Sequence, residues 1–196
     1  MTNRPTWGLW GGIAIITGGV LLMIATLIEA QLWDDSTPTL LAIFTALFLG
    51  STVAHAVAMI PLAGGRTGSD GIVGTSSVGR FALLGFGGLF LTSQTVYYVV
   101  TYALSPVDDY SGVLTLTTVV SIGQLALLLV ASIIVIRARV AEGAARWAFL
   151  ALTVVSVITG AIANSTDSAE VATVALLCST GTQIVVGVVL ATTRKR

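Results

Sequence analysis

Gln94, Tyr98 and Tyr102 recur at i, i+4 and i+8 within a long apolar segment, so on a helix they line one face. Gln124 and Gln183 fall at a similar depth in two later apolar segments, with Ser121 and Ser179 one turn away at i−3 and i−4. His55 has Ser51 at i−4 in the same manner. Amides, phenols and hydroxyls donate and accept hydrogen bonds without carrying charge, which suits a neutral or cationic polar ligand. Tyrosine faces add cation–π attraction. The implied site is a neutral polar pocket at mid-membrane depth, reached from outside past Tyr98 and Tyr102. The competing reading is that the glutamines hydrogen-bond between helices, each bond contributing ~0.6–2 kcal/mol in a membrane. His55 is a proton-switchable group, a single axial haem ligand, or a packing residue. Met59, one turn away on the same helix, cannot supply the opposite axial position.

The elements that must carry these residues follow from composition. The chain has 196 residues, 55% hydrophobic and only 9% charged, with mean hydropathy +0.97. A soluble domain carries roughly 25% charged residues, so lipid is the main solvent here. A bilayer-spanning helix needs ~20 apolar residues, and six stretches meet or approach that length, at about 7–29, 40–62, 81–104, 113–136, 147–165 and 171–193. The first is longer than a signal-peptide core and reads as a helix that stays in place. No stretch alternates as a barrel strand does. The expected fold is an all-α membrane protein, with six transmembrane helices arranged as three hairpins in one bundle. It forms a single integral membrane domain over 1–196, and the Gly-, Ser- and Thr-rich 63–80 connection reads as a flexible cytoplasmic loop.

Charge orients the bundle. Arg4, Arg66, Arg80, Arg137, Arg139, Arg146, Arg194, Lys195 and Arg196 are all nine basic residues, and all fall on one side of a six-helix arrangement. The other side holds Glu29, Asp34, Asp35, Asp108, Asp109, Asp167 and Glu170. The positive-inside bias then places both termini in the cytoplasm. The acidic turns carry no alternating oxygen ligands of a calcium motif and read as a solvated face.

Several function classes are disfavoured. No Asp, Glu, Lys or Arg stands in the middle of an apolar segment, where ion-coupled transporters and proton pumps carry their relays. Cys178 is the only cysteine and His55 the only histidine, so no intramolecular disulfide forms and no Cys- or His-rich metal site is built. Phosphate loops, nucleophile elbows and metalloprotease motifs are absent, which points away from an enzyme. The expected partners are the lipid bilayer and, through glycine-rich helix faces such as Gly8-xxx-Gly12, Gly11/Gly18 and Gly85/Gly88, a second copy of the chain. No nucleic acid and no cofactor is implied.

Two resemblances add expectations. Over nearly its whole length the chain resembles the HdeD-like family of six-helix bacterial membrane proteins, with Arg146-Trp147 opening a hairpin and Gly181-Thr182-Gln183-Ile184 in the returning helix. Trp33-Asp34 stands where that family has Trp-Pro. The resemblance implies a non-enzymatic, stress-associated protein in the plasma membrane of a prokaryote. A second resemblance, to microbial rhodopsins, rests on Arg4-Pro5-Thr6-Trp7, on Met59 to Gly65 and on Arg80-Phe81. The seventh helix and a membrane lysine for retinal are missing, so it implies at most a degenerate relative without covalent retinal.

Overall fold

The computed structural model describes residues 5–32, 37–65, 71–104 and 111–193, without the side chains of Ser111 and Leu114. The helices are α1 (Thr6–Leu32), α2 (Pro38–Gly64), α3 (Ser77–Tyr98), α4 (Ser111–Ala138), α5 (Ala148–Ser165) and α6 (Ala169–Thr192). A π-helical turn, Val99–Ala103, continues α3, and a 3-10 turn, Gly143–Arg146, precedes α5. With α3 and its π turn taken together, all six are long and apolar enough to cross a membrane. Among the described residues no strand occurs. The chain is an all-α, six-helix membrane bundle.

Local chemistry sets the helix starts. Thr37, Ser76 and Ser168 stand in extended conformation and accept from the backbone N–H of Leu40, Gly79 and Val171, so each takes up a donor that the first turn would leave unpaired. Pro38 follows Thr37 at a position where its missing N–H costs nothing. The Ser76 cap starts α3 at Ser77, four residues before the expected Phe81. Inside the helices, hydroxyls of Thr26, Thr52, Ser132 and Thr153 donate to carbonyls four residues back, which satisfies them without water.

The connection expected to be a flexible loop over 63–80 is shorter, and its described part is packed. Ile72 and Val73 are buried, and Ile72 N–H donates to Leu62 O at 2.9 Å. Gly71 is required there, because a Cβ would fall 2.4 Å from Ala63 O. Two apolar residues in a polar stretch supply the cause: they dock on the bundle and tie the turn to the end of α2. Residues 66–70 lie outside the described residues, as do the acidic pairs Asp34-Asp35 and Asp108-Asp109.

Each helix packs on its sequence neighbours, and α1 packs on α6, closing a ring in chain order. The three expected hairpins are therefore α1–α2, α3–α4 and α5–α6. Alpha1 makes the closest approaches: Cβ atoms at Gly8 and Gly12 would fall 2.7 Å from Leu190 O and 2.5 Å from Ala191 N of α6. Gly11 and Gly18 give room to Leu62 and His55 of α2. The glycine faces of α1 are thus used within one copy of the chain. The larger apolar core draws on all six helices toward the end that carries Arg80, Arg137 and Arg146, here the basic end. A smaller one, around Ala25, Leu32, Phe44 and Phe48, joins α1 and α2 toward the opposite, acidic end.

Candidate functional site

Between the basic-end core and the acidic end lies a half-open cavity of about 380 Å³ lined by residues of all six helices, with Leu125 of α4 and Val157 and Ala161 of α5 exposed on its open side. Its apolar side is made by Ile15, Met59, Phe86, Leu128, Phe149 and Leu152, all of them core residues. Its polar lining is neutral: His55 from α2, Ser93 from α3, Ser121 and Gln124 from α4, Ser156 from α5 and Gln183 from α6. Of the residues expected to bind a ligand, the structure brings His55, Gln124 and Gln183 together here.

His55 is held in one orientation. Gly18 leaves space for its ring, the ring of Phe90 stands 5.3 Å away, and the residue is buried. Ser51 Oγ donates to Gly18 O at 2.8 Å, so its hydrogen is already engaged. His55 Nδ1 lies 2.9 Å from Ser51 O, a carbonyl that can only accept, so Nδ1 carries the ring hydrogen. In the neutral ring Nε2 is then an acceptor; it is buried beside the side chain of Gln183 without a well-formed hydrogen bond. Gln183 Oε1, a second acceptor on the same cavity, is also buried and unpartnered. An unpaired buried acceptor costs roughly 1–3 kcal/mol. With the Gln183 amide turned so that its nitrogen faces His55, Gln183 donates to Nε2 and the two side chains form a polar pair on the cavity wall.

Gln94, Tyr98 and Tyr102 do not join this cavity. Gln94 lines a separate cleft of about 490 Å³ between α3 and α4, together with Ser93, Tyr97, Thr101, Thr117 and Ser121. Tyr98 turns toward α2. Its hydroxyl lies 2.9 Å from Thr45 Oγ1, and because Thr45 donates to Leu41 O, Tyr98 is the donor. Tyr102 packs on Phe44, with ring centroids 4.9 Å apart, and donates to Glu29 Oε1 at 2.7 Å. Tyr97 donates to the same oxygen. The single tyrosine-lined face expected from i, i+4, i+8 spacing is therefore shared between two neighbours, because α3 packs on α2 along one side and α4 along the other.

Glu29 and Tyr97 were not anticipated as a pair. Glu29 reads in the sequence as a terminal charge of the first helix. Tyr97 and Tyr102 are five apart, which on an α-helix separates them by about 140°. The π turn beginning at Val99 brings both to Glu29. Ser156 and Gly160, four apart on α5, also line the central cavity, and only the small-xxx-small spacing could have hinted at them.

No family model, curated protein or solved structure matches the chain.

Proposed function

We propose that this multi-pass membrane protein binds a small uncharged molecule bearing a hydrogen-bond donor, an alcohol or amide on an apolar body, in the half-open cavity lined by its six helices. The observation that carries this reading is the neutral polar group of His55, Gln124, Gln183 and Ser156 on the wall of an otherwise apolar cavity. The volume, about 380 Å³, falls in the range of small-molecule sites. No charged side chain lines the cavity, which favours an uncharged occupant. Phe86, Phe90 and Phe149 suit its apolar body. A purely structural or stress-associated role, as the HdeD-like resemblance implies, accounts for the packed basic end and leaves the cavity without a purpose.

The segregation of basic residues supports an orientation with both termini in the cytoplasm, and the HdeD-like resemblance supports a prokaryotic plasma membrane. A C-terminal green fluorescent protein fusion is expected to fluoresce in intact cells; a dark but full-length fusion would reverse the orientation.

Native mass spectrometry on protein gently extracted from its host tests the binding role. A reproducible added mass, other than lipid, is expected on the wild type and is lost in Gln183→Leu and Gln124→Leu while both variants stay folded. Identical spectra for wild type and both variants, with lipid as the only adduct, would overturn it.

A further inference from the structure

We propose that the central cavity opens sideways into the bilayer between α4 and α5, and that its ligand is a lipophilic alcohol or amide dissolved in the membrane, distinct from the lipids that form it. The polar head lies among Gln124, Ser156 and Gln183, and the apolar chain leaves between Leu125 and Val157. The inference rests on the binding reading above and adds to it the ligand's class and its route.

Toward the basic end the two helices are joined. Ser132 Oγ of α4 and Thr153 Oγ1 of α5 stand 3.3 Å apart, and Arg146 Nε, just before α5, donates to Ile136 O of α4 at 2.9 Å. Ala131, Val135, Phe149 and Leu152 are buried there. One to two turns further on, the seam has parted. Leu125 of α4 and Val157 and Ala161 of α5 line the cavity and are exposed. A Cβ at Gly160, on the same wall, would meet nothing within 4 Å. Of the neighbours around the ring, α4 and α5 pack on each other most sparsely.

This opening lies at the middle of both helices. Leu125 is ~20 Å along the axis from either end of α4, and Val157 is central in α5. The hydrocarbon core of a bilayer is ~30 Å thick, so the lip meets acyl chains and not water. What arrives through it is already dissolved in lipid.

The lining selects among such molecules. Because the lip is apolar, a hydrocarbon chain stays in contact with lipid while the head is inside. Gln124 and Ser156, one residue before Leu125 and Val157, begin a neutral polar lining that Gln183 and His55 continue. These groups exchange hydrogen bonds with a hydroxyl or amide. They offer no counter-charge to a phosphate or ammonium head, whose burial would go uncompensated.

The test uses the full chain in phosphatidylcholine nanodiscs and a defined probe, hexadecan-1-ol carrying a diazirine midway along its chain. After illumination, peptide mass spectrometry is expected to find the probe at Leu125, Val157 or Ala161. Excess hexadecan-1-ol should lower that labelling at least ten-fold, and hexadecane, which has no donor, less than two-fold. Ala161→Trp and Val157→Trp, each on the lip, should lower the alcohol-competed labelling at least ten-fold. Thr117→Trp, in the separate α3–α4 cleft, should change it less than two-fold. If a lip variant does not fold, Leu125→Trp narrows the opening from its α4 side. Competed labelling that is lost in Gln183→Leu but indifferent to the lip tryptophans, or lost mainly in Thr117→Trp, would overturn the lateral opening and keep the cavity as a binding site. Equal competition by hexadecan-1-ol and hexadecane, with Gln124→Leu and Gln183→Leu both without effect, would reject the binding reading and this inference together.

Discussion

Tyr102 donates its phenolic hydrogen to Glu29 Oε1 at 2.7 Å, joining the π turn after α3 to the last turn of α1. Because Tyr97 donates to the same oxygen, one carboxylate holds two phenols that an uninterrupted α-helix would point apart. Tyr97 also lines the α3–α4 cleft, so this tie positions one side of its mouth. Tyr102→Phe and Tyr97→Phe are each expected to lower stability by ~0.6–2 kcal/mol, the range for hydrogen bonds between membrane helices. In a Glu29→Ala background the same two changes should cost much less, since their shared acceptor is gone. Double-mutant cycles of thermal unfolding in detergent measure the coupling. Strict additivity would mean that the ties do not form.

Glycine contacts make opposite predictions at two positions. A Cβ on Gly12 would meet Ala191 N at 2.5 Å and Gly187 O at 2.6 Å, both backbone atoms that cannot turn aside. Gly12→Ala must push α1 and α6 apart and is expected to cost about 1–3 kcal/mol, as overpacking does. At Gly160 a Cβ meets nothing within 4 Å. Gly160→Ala should be neutral or raise stability by up to ~1 kcal/mol through helix propensity. Melting temperatures of the two variants, side by side, check the contrast.

The number, type and hairpin order of the helices were legible because apolar run length and backbone satisfaction in lipid leave few alternatives. Helix ends moved by up to four residues where a cap such as Ser76 lay outside the apolar run. Of the glutamines read at a similar depth, Gln124 and Gln183 line one cavity, with His55 beside them, and Gln94 lines a different space. Their companions were harder to read. Periodicity says which residues share a face and not which neighbour that face meets, so Gln94 went to the α4 side while Tyr98 and Tyr102 went to α2 and α1. The Tyr97–Tyr102 pairing depends on a π turn that a 3.6-residue period conceals. The glycines of α1 announced close packing, but only the ring closure shows that their partners are α2 and α6 of the same chain.

Ile72 tests the docked turn between α2 and α3. It is fully buried, and its N–H donates to Leu62 O, so its side chain fastens a polar segment to the bundle. Ile72→Ala removes that anchor and is expected to cost ~2–5 kcal/mol, as truncation of a buried isoleucine does. Thr75→Ala, at an exposed position on the same turn, should stay within ~0.5 kcal/mol of wild type. Unfolding curves that do not distinguish the two would show the turn to be undocked.

Ser51 and Gln183 separate what holds the cavity from what the cavity is for. Ser51 Oγ donates to Gly18 O within the α1–α2 contact, so Ser51→Ala should lower stability by ~0.6–2 kcal/mol. The His55 hydrogen bond uses the Ser51 carbonyl, which that substitution leaves in place, so the ring keeps its place on the cavity wall and the ligand adduct should persist. Gln183→Leu should do the reverse. It removes an amide that faces His55 without a well-formed hydrogen bond, and is expected to leave the melting temperature nearly unchanged. The adduct, however, loses one of its polar partners and should weaken at least ten-fold in a native mass titration. A Gln183→Leu protein that melts earlier and binds as before would make this glutamine a packing residue, and would remove the main reason for assigning the cavity a ligand.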